Sequence, residues 1–315
     1  MAVWHCRSIV LSLVLGCGAA SGPQGTALPA VAAGQADARI AAPVLFAPGV
    51  VTGPPTFSPD GKAVYFARKR SIVVSHARGD MWSEPEVVSF SGRWGDGDPA
   101  MSPDGSFLIF ASNRPPVEPG PVLDGEWGTP TRSSHPGLGA NLWRVERQGD
   151  GWGQPTRLPD AVNRGTAVME PCVVADGSLY FMDAHLPGRF RFYRSQLEDG
   201  VYQEPVQLLF SDGTWSDWDD TVPPDESFMV FASDRPPVTA DHGDDLFIVF
   251  RDRTVWREVT HLAAVNDPKT GSIKPRLGSD HHTLYFLSDR ETGVAGVEPA
   301  LGNVWRVDLA PLLHR

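Results

Sequence analysis

From residue 40 onward, apolar residues come in short runs of strand length, broken by turns rich in Gly, Pro, Asp and Ser. The stretch PTFSPDGKAVYFARKR (55–70) sets the form: an aromatic residue, a Ser-Pro-Asp-Gly turn, an apolar run and a basic end. PAMSPDGSFLIFASNR (99–114) repeats it closely. PCVVADGSLYFMDAH (171–185), TVPPDESFMVFASDR (221–235) and PRLGSDHHTLYFLSDR (275–290) are degenerate copies. Each copy reads as strand, tight turn, strand, and Gly supplies the positive φ that the turn demands. Runs such as Phe107–Phe110 are apolar at successive positions, as expected where both faces of a sheet are covered.

A third strand follows each hairpin, at SIVVSHA (71–77), NLWRVER (141–147), RFRFYRSQ (189–196), DLFIVFRD (245–252) and NVWRVDL (303–309). A fourth begins at WSEPEVV (82–88), WGQPTRL (152–158), YQEPVQL (202–208) and WREVTHL (256–262). The turn aspartates Asp60, Asp104, Asp176, Asp225 and Asp280 are 44, 72, 49 and 55 residues apart. A four-stranded propeller blade takes about 40–50 residues. The long interval holds a Pro/Gly-rich insertion at 115–140. The fifth unit lacks a fourth strand, whereas IAAPVLFAPGV (40–50) is a strand without a unit. The pattern therefore predicts an all-β fold, a five-bladed β-propeller of four-stranded blades whose last blade is closed by the N-terminal strand.

Composition agrees: 41% hydrophobic residues supply a core, and 32 Gly with 29 Pro suit many tight turns. A net charge of −11 with no basic stripe excludes a nucleic acid held through its phosphates. Residues 1–16 read as a signal peptide, with an apolar run too short to span a bilayer. Val14-Leu15-Gly16-Cys17 is similar to a bacterial lipobox, which would make Cys17 the lipidated first residue; the alternative is ordinary cleavage near Ala20. Residues 17–39 are expected to form a flexible tether and 40–315 a single propeller domain. Cys172 is then alone in the folded part, so no internal disulfide is expected. No Asp follows Cys17, which favours the outer membrane as the lipoprotein's destination.

The phrases FSPDGKAVYFARKR, MSPDGSFLIFASNR, FMVFASDR and LYFLSDR resemble the SPDG-type, WD40-like repeats of TolB-like exported bacterial propellers, over roughly residues 40–309. The resemblance implies the propeller fold and an exported protein. TolB's separate N-terminal α/β domain and its usual sixth blade have no counterpart here, so its particular role is not expected to carry over.

Loops entering the inner strands of a propeller form one rim of the central channel, which makes residues beside those strands the candidates for chemistry. They are Trp94, Asp98, Glu170, Trp218, Asp219, Asp220 and Lys274. Asp98, Glu170 and Lys274 each precede a proline, and Asp220 is aligned with them, so three carboxylates and an ammonium are expected at one mouth. The functional expectation is a polar funnel with Trp94 and Trp218 as stacking surfaces; the plainer one is a ring of solvated carboxylates. Arg114, Arg235 and Arg290 end the second strands at the same rim, and His185 stands where the third unit would have Arg. Asp241, His242, Asp244 and Asp245 make an oxygen-rich loop with some character of a Ca²⁺ site but no defined motif; no other cofactor is expected.

No Gly-x-Ser-x-Gly, His-Glu-x-x-His or phosphate-loop pattern occurs. The reading this favours is a non-catalytic binding or scaffold protein of the cell envelope, periplasmic or anchored through Cys17. It would be a monomer that meets a protein or glycan at the funnel rim. The alternative is a carbohydrate-active hydrolase or lyase, with Glu170 as acid and Asp98 or Asp220 as base or nucleophile.

Overall fold

The computed structural model describes residues 40–123, 139–184, 189–238 and 243–313. The signal-peptide and tether assignments, Cys17, His185, Asp241 and His242 lie outside the described residues. The described chain forms five blades of antiparallel strands. Their inner strands are Thr56–Phe57, Asp96–Met101, Val168–Val173, Asp217–Thr221 and Ser272–Leu277. Each pairs with a largely apolar second strand, and in Phe107–Ser112 and Phe228–Ser233 every residue is buried. Aromatic and aliphatic side chains from neighbouring blades fill the wedges between them, for instance Phe192, Phe231 and Phe247 between the third and fourth. This is why the second strands lack the alternation of a half-exposed sheet.

Closure follows the predicted route. Val44–Phe46 pairs antiparallel with Val304–Asp308, and Phe46 faces Val304. Phe46 then seats its ring against Tyr285 at 4.9 Å and Phe57 at 6.2 Å, joining the last blade to the first.

The turn aspartates are structural, as the sequence suggested. Asp60 accepts from Lys62 N at 3.0 Å, Asp104 from Ser106 N at 3.0 Å, Asp176 from Ser178 N at 2.8 Å and Asp225 from Ser227 N at 3.0 Å. Asp280 accepts from His282 N at 3.1 Å. Each carboxylate replaces a ladder bond that the reversing backbone cannot make. Gly61, Gly105 and Gly177 hold positive φ in these turns, and Glu226 and His281 take the same conformation in the fourth and fifth.

Four inner strands carry an identical irregularity. Their register slips by one residue between Gly97 and Ala100, Met169 and Cys172, Trp218 and Thr221, and Ile273 and Arg276. At each slip one non-glycine residue has positive φ: Asp98 (46°), Glu170 (52°), Asp219 (53°) and Lys274 (54°). A left-handed non-glycine residue costs about 1–3 kcal/mol, so a feature held in four blades needs a compensating gain. Pro99, Pro171 and Pro275 follow directly, where the bulge leaves no ladder donor to lose.

Removing residues 40–50 should abolish cooperative thermal unfolding, and Phe46→Ala should lower stability by about 3–5 kcal/mol. Calorimetry on both variants checks this; a truncated protein that melts like the parent would refute closure by the N-terminal strand.

Candidate functional site

The four bulges turn Asp98, Glu170, Asp219 and Lys274 into the channel at one level. The alignment of Asp220 with Asp98 and Glu170 therefore needs correction: Asp219 occupies that place, and Asp220 stands where the other blades have proline. Proline marks this position in the other blades, and the fourth blade has none there.

These carboxylates are not a solvated ring. Glu170 and Asp220 are 0% exposed, Asp98 3% and Asp219 6%. Lys274, with 29% of its side chain exposed, reaches across the channel to all three bulge carboxylates. Its Nζ lies 3.5 Å from Asp98 Oδ1 and 3.4 Å from Asp219 Oδ1, and it donates to Glu170 Oε1. Arg276, two residues on, donates to Glu170 Oε2 and, through Nη1, to the carbonyls of Asp220 and Pro275, both at 2.9 Å. Charged groups from four blades thus form one buried knot.

Burial sets the proton affinities in the knot, and the neighbours split them. Burial pushes the Asp98 carboxyl well above the usual range, and the neighbouring Glu170 charge adds to it. Burial acts upward on Glu170 too, but Lys274 and Arg276 outweigh it and hold that carboxyl below the usual range. Asp219 rises to about 6 by burial, tempered by Lys274. Asp220 rises to about 8 because it is buried with no hydrogen-bond partner on either oxygen among the described residues. Burial opposes the Lys274 charge, yet Asp219, Asp98 and Glu170 together keep it protonated far above neutrality.

One step farther along the inner strands, side chains latch blade to blade. Thr56 Oγ1 accepts from Met101 N at 3.0 Å, and Thr221 Oγ1 from Leu277 N at 3.1 Å. Cys172 fills the same role with sulfur, donating to Val222 O and accepting from Val222 N, both at 3.3 Å. Burial pushes its thiol up to about 12, so this free cysteine is a latch and not a nucleophile. Arg276 occupies the equivalent place in the fifth blade. It was not among the sequence candidates, although it is the one charged residue where the other blades have Thr, Ala or Cys.

The rim arginines also point inward. Arg114 binds Asp96 at 2.8 Å and Ser112 at 3.0 Å and lies over the Phe110 ring; Arg235 repeats this with Asp217, Ser233 and Phe231. In the fifth blade Ser272 replaces the aspartate, and Arg290 turns to Ser272 and to Val265 O. These arginines are structural clips, within a blade or to the connector before it, and not free ligand-binding groups. Trp218 is packed against Phe190 at 4.7 Å between two core clusters, so it offers no open stacking face. The exposed tryptophan of that loop is Trp215, at 37%, while Trp94 is half-buried beneath Arg93. Asp245 is engaged by His261 at 2.7 Å, and burial with nearby carboxylates raises Asp244 to about 6. Among the described residues no group of three or more His, Cys, Asp or Glu side chains is arranged to hold a metal.

No protein-family model matches the sequence, and no curated protein matches it. Solved structures do resemble it. One from Agrobacterium tumefaciens, assigned as TolB, is 19% identical over 77% of this chain and 71% of its own, with a TM-score of 0.50. A thermostable family-43 glycoside hydrolase is 10% identical over 83% and 89%, with a TM-score of 0.52. A Bacillus subtilis arabinanase is 11% identical over 84% and 95%, with a TM-score of 0.51. At these identities the likeness concerns the fold: the chain is a five-bladed β-propeller, an architecture that hosts both binding proteins and enzymes.

Two substitutions test the knot. Lys274→Met leaves buried carboxylates facing one another and should cost about 3–5 kcal/mol. A carboxyl with a raised folded pKa binds more protons folded than unfolded between its two pKa values, so stability falls as pH rises through that window. For Asp220 the window runs from the ordinary Asp value to about 8. Asp220→Asn should therefore flatten the fall in stability between pH 6 and 8, above the range in which Asp219 titrates, and stabilise at pH 8 by about 1–3 kcal/mol. Denaturant titrations across pH measure both.

Proposed function

We propose that the protein is a non-catalytic binding scaffold exported to the cell envelope, with its ligand or partner meeting the rim around Lys274, Trp94 and Trp215. The observation carrying this reading is the internal pairing of the channel charges. Lys274 and Arg276 pair with Asp98, Glu170 and Asp219, which hold four blades together; the remaining hydrolase candidate, Asp220, is fully buried. What reaches solvent at that rim is the edge of the knot at Lys274, the exposed Trp215 and the half-buried Trp94, groups suited to recognition.

A second reading, a carbohydrate-active hydrolase or lyase, draws on the divided proton affinities of Asp98 and Glu170, one raised and one lowered. The geometry argues against it: Glu170 is fully buried and Asp98 only 3% exposed, and Lys274 pairs with both, whereas a glycosidase's two carboxyl groups must both reach the sugar.

The test is capture from envelope extract by wild type and by a Trp94→Ala/Trp215→Ala variant, beside a turnover assay on a glycan and aryl-glycoside panel. A partner retained by wild type and lost by the variant, with no turnover, is the expected result. Turnover that disappears in Glu170→Gln would establish the enzyme instead.

A further inference from the structure

The outer strands are where the five blades differ. In the first three, WSEPEVV, WGQPTRL and YQEPVQL place Pro85, Pro155 and Pro205 directly before the outer-strand pieces Glu86–Val87, Thr156–Arg157 and Val206–Gln207, and Pro43 directly precedes Val44–Phe46 in the fifth. In the fourth blade the residue is Val259. The inward hydrogen bonds of Val88, Leu158 and Leu208 N–H to Ile72, Leu142 and Phe192 O fix the alternation of each ladder. By that alternation, a residue three places earlier turns its backbone N–H away from the sheet. Proline therefore removes an outward-facing donor in these three blades, a standard protection of a sheet edge.

The fourth blade has no such protection. Leu262 N–H donates inward to Leu246 O at 3.0 Å, so the N–H groups of Val259 and His261 face outward. The strand Val255–His261 is continuous where the first two blades have two short pieces, and it ends its sheet. A one-residue slip opposite Val249–Arg251 limits the regular edge to Val259–His261. Beside it, between the third and fourth blades, runs a groove of about 500 Å³. Leu209 (94% exposed), Val206 and Val255 line it, with Trp256 and Phe210. Val259 and Trp256 both pack toward the third blade, so a strand added at this edge would hang its side chains over that groove.

We propose that this edge is a strand-addition site for an extended, basic segment of another polypeptide with apolar residues at alternate positions. An extended backbone is the chemistry that satisfies outward N–H and C=O groups in a row, and the groove accepts its apolar side chains. The basic character follows from Glu258 on the strand and Glu198 in the groove, which have no ion-pair partner among the described residues, and from the net charge of −11. The same charge opposes a second copy of this chain as the occupant. The surface is separate from the channel rim, so this inference and the binding role proposed there stand or fall independently.

The probe is a fluorescein-labelled, N-acetylated (Lys-Val)₄ peptide, followed by anisotropy with the full chain and by deuterium exchange. Wild type should bind it and slow exchange at Val259 and His261. Val259→Pro should bind at least tenfold more weakly with an unchanged melting temperature, since proline already holds this place in the first three blades, and Val259→Thr should bind like wild type. A peptide N-methylated at alternate valines should not bind. Equal binding by Val259→Pro, equal binding of the N-methylated peptide, or tighter binding of (Glu-Val)₄ would overturn the proposal. So would self-association of wild type that Val259→Pro removes, because the occupant would then be a second copy.

Discussion

Two cations, Lys274 and Arg276, decide whether four carboxylates can exist in the dry centre of the ring. Withdrawing an ionised carboxylate from water costs several kcal/mol even after relaxation. Placing carboxylates from neighbouring blades at one level adds mutual repulsion. The fold meets both costs by bringing an ammonium and a guanidinium from a single strand, Ser272–Leu277, to the same point, and by leaving Asp98 and Asp220 disposed to keep their protons. The strained backbone at the four bulges is the counterpart of this arrangement. Only a left-handed residue there turns its side chain to the channel axis while the rest of the strand keeps its pairing.

Such a knot differs in kind from the wedges of aromatic residues between blades. Apolar packing tolerates substitution of similar volume, whereas a buried network with one member removed leaves uncompensated charge. The blades are therefore held in two ways, one forgiving and one not. Glu226 supplies a smaller version outside the channel: it accepts from Tyr180 Oη at 2.6 Å and Arg194 at 2.8 Å, and it pairs with Arg251, tying the third and fourth blades. The first blade has Pro54 at the level of the knot and joins the ring through Thr56 and Phe46 instead.

The repeats were legible because the turn phrase is dictated locally: an Asp that caps, a Gly that reverses, an apolar run buried on both faces. Strand boundaries at 71–78, 141–148 and 245–252 fall within a residue or so of the sequence expectation for the same reason. The channel was legible only in its membership. Asp98, Glu170 and Lys274 stand at the bulge that a following proline marks in the sequence, and Asp219 lies one place from the aligned position because the fourth blade lacks that mark. Burial of the carboxylates could not be read, since it depends on a partner such as Arg276 lying more than a hundred residues from Glu170. Trp215 in the loop and Trp218 in the strand that follows, three residues apart, show the same limit: local sequence says an aromatic is present but not which way the chain turns it.

Closure by a strand from the opposite end of the chain has a kinetic side. The pair joining Phe46 to Val304 spans nearly the whole domain, so it can form only after every intervening blade has been synthesised. Contacts of such sequence separation slow folding, because loop entropy is lost before the contact repays it. Until then the strand Val44–Phe46 and the facing edge of Val304–Asp308 remain unpaired, and the ring is an open arc with two reactive ends. The first strand of the ring in sequence is thus the last to be paired. The protein must remain unfinished, and free of wrong partners for that strand, for the entire time it takes to make the rest.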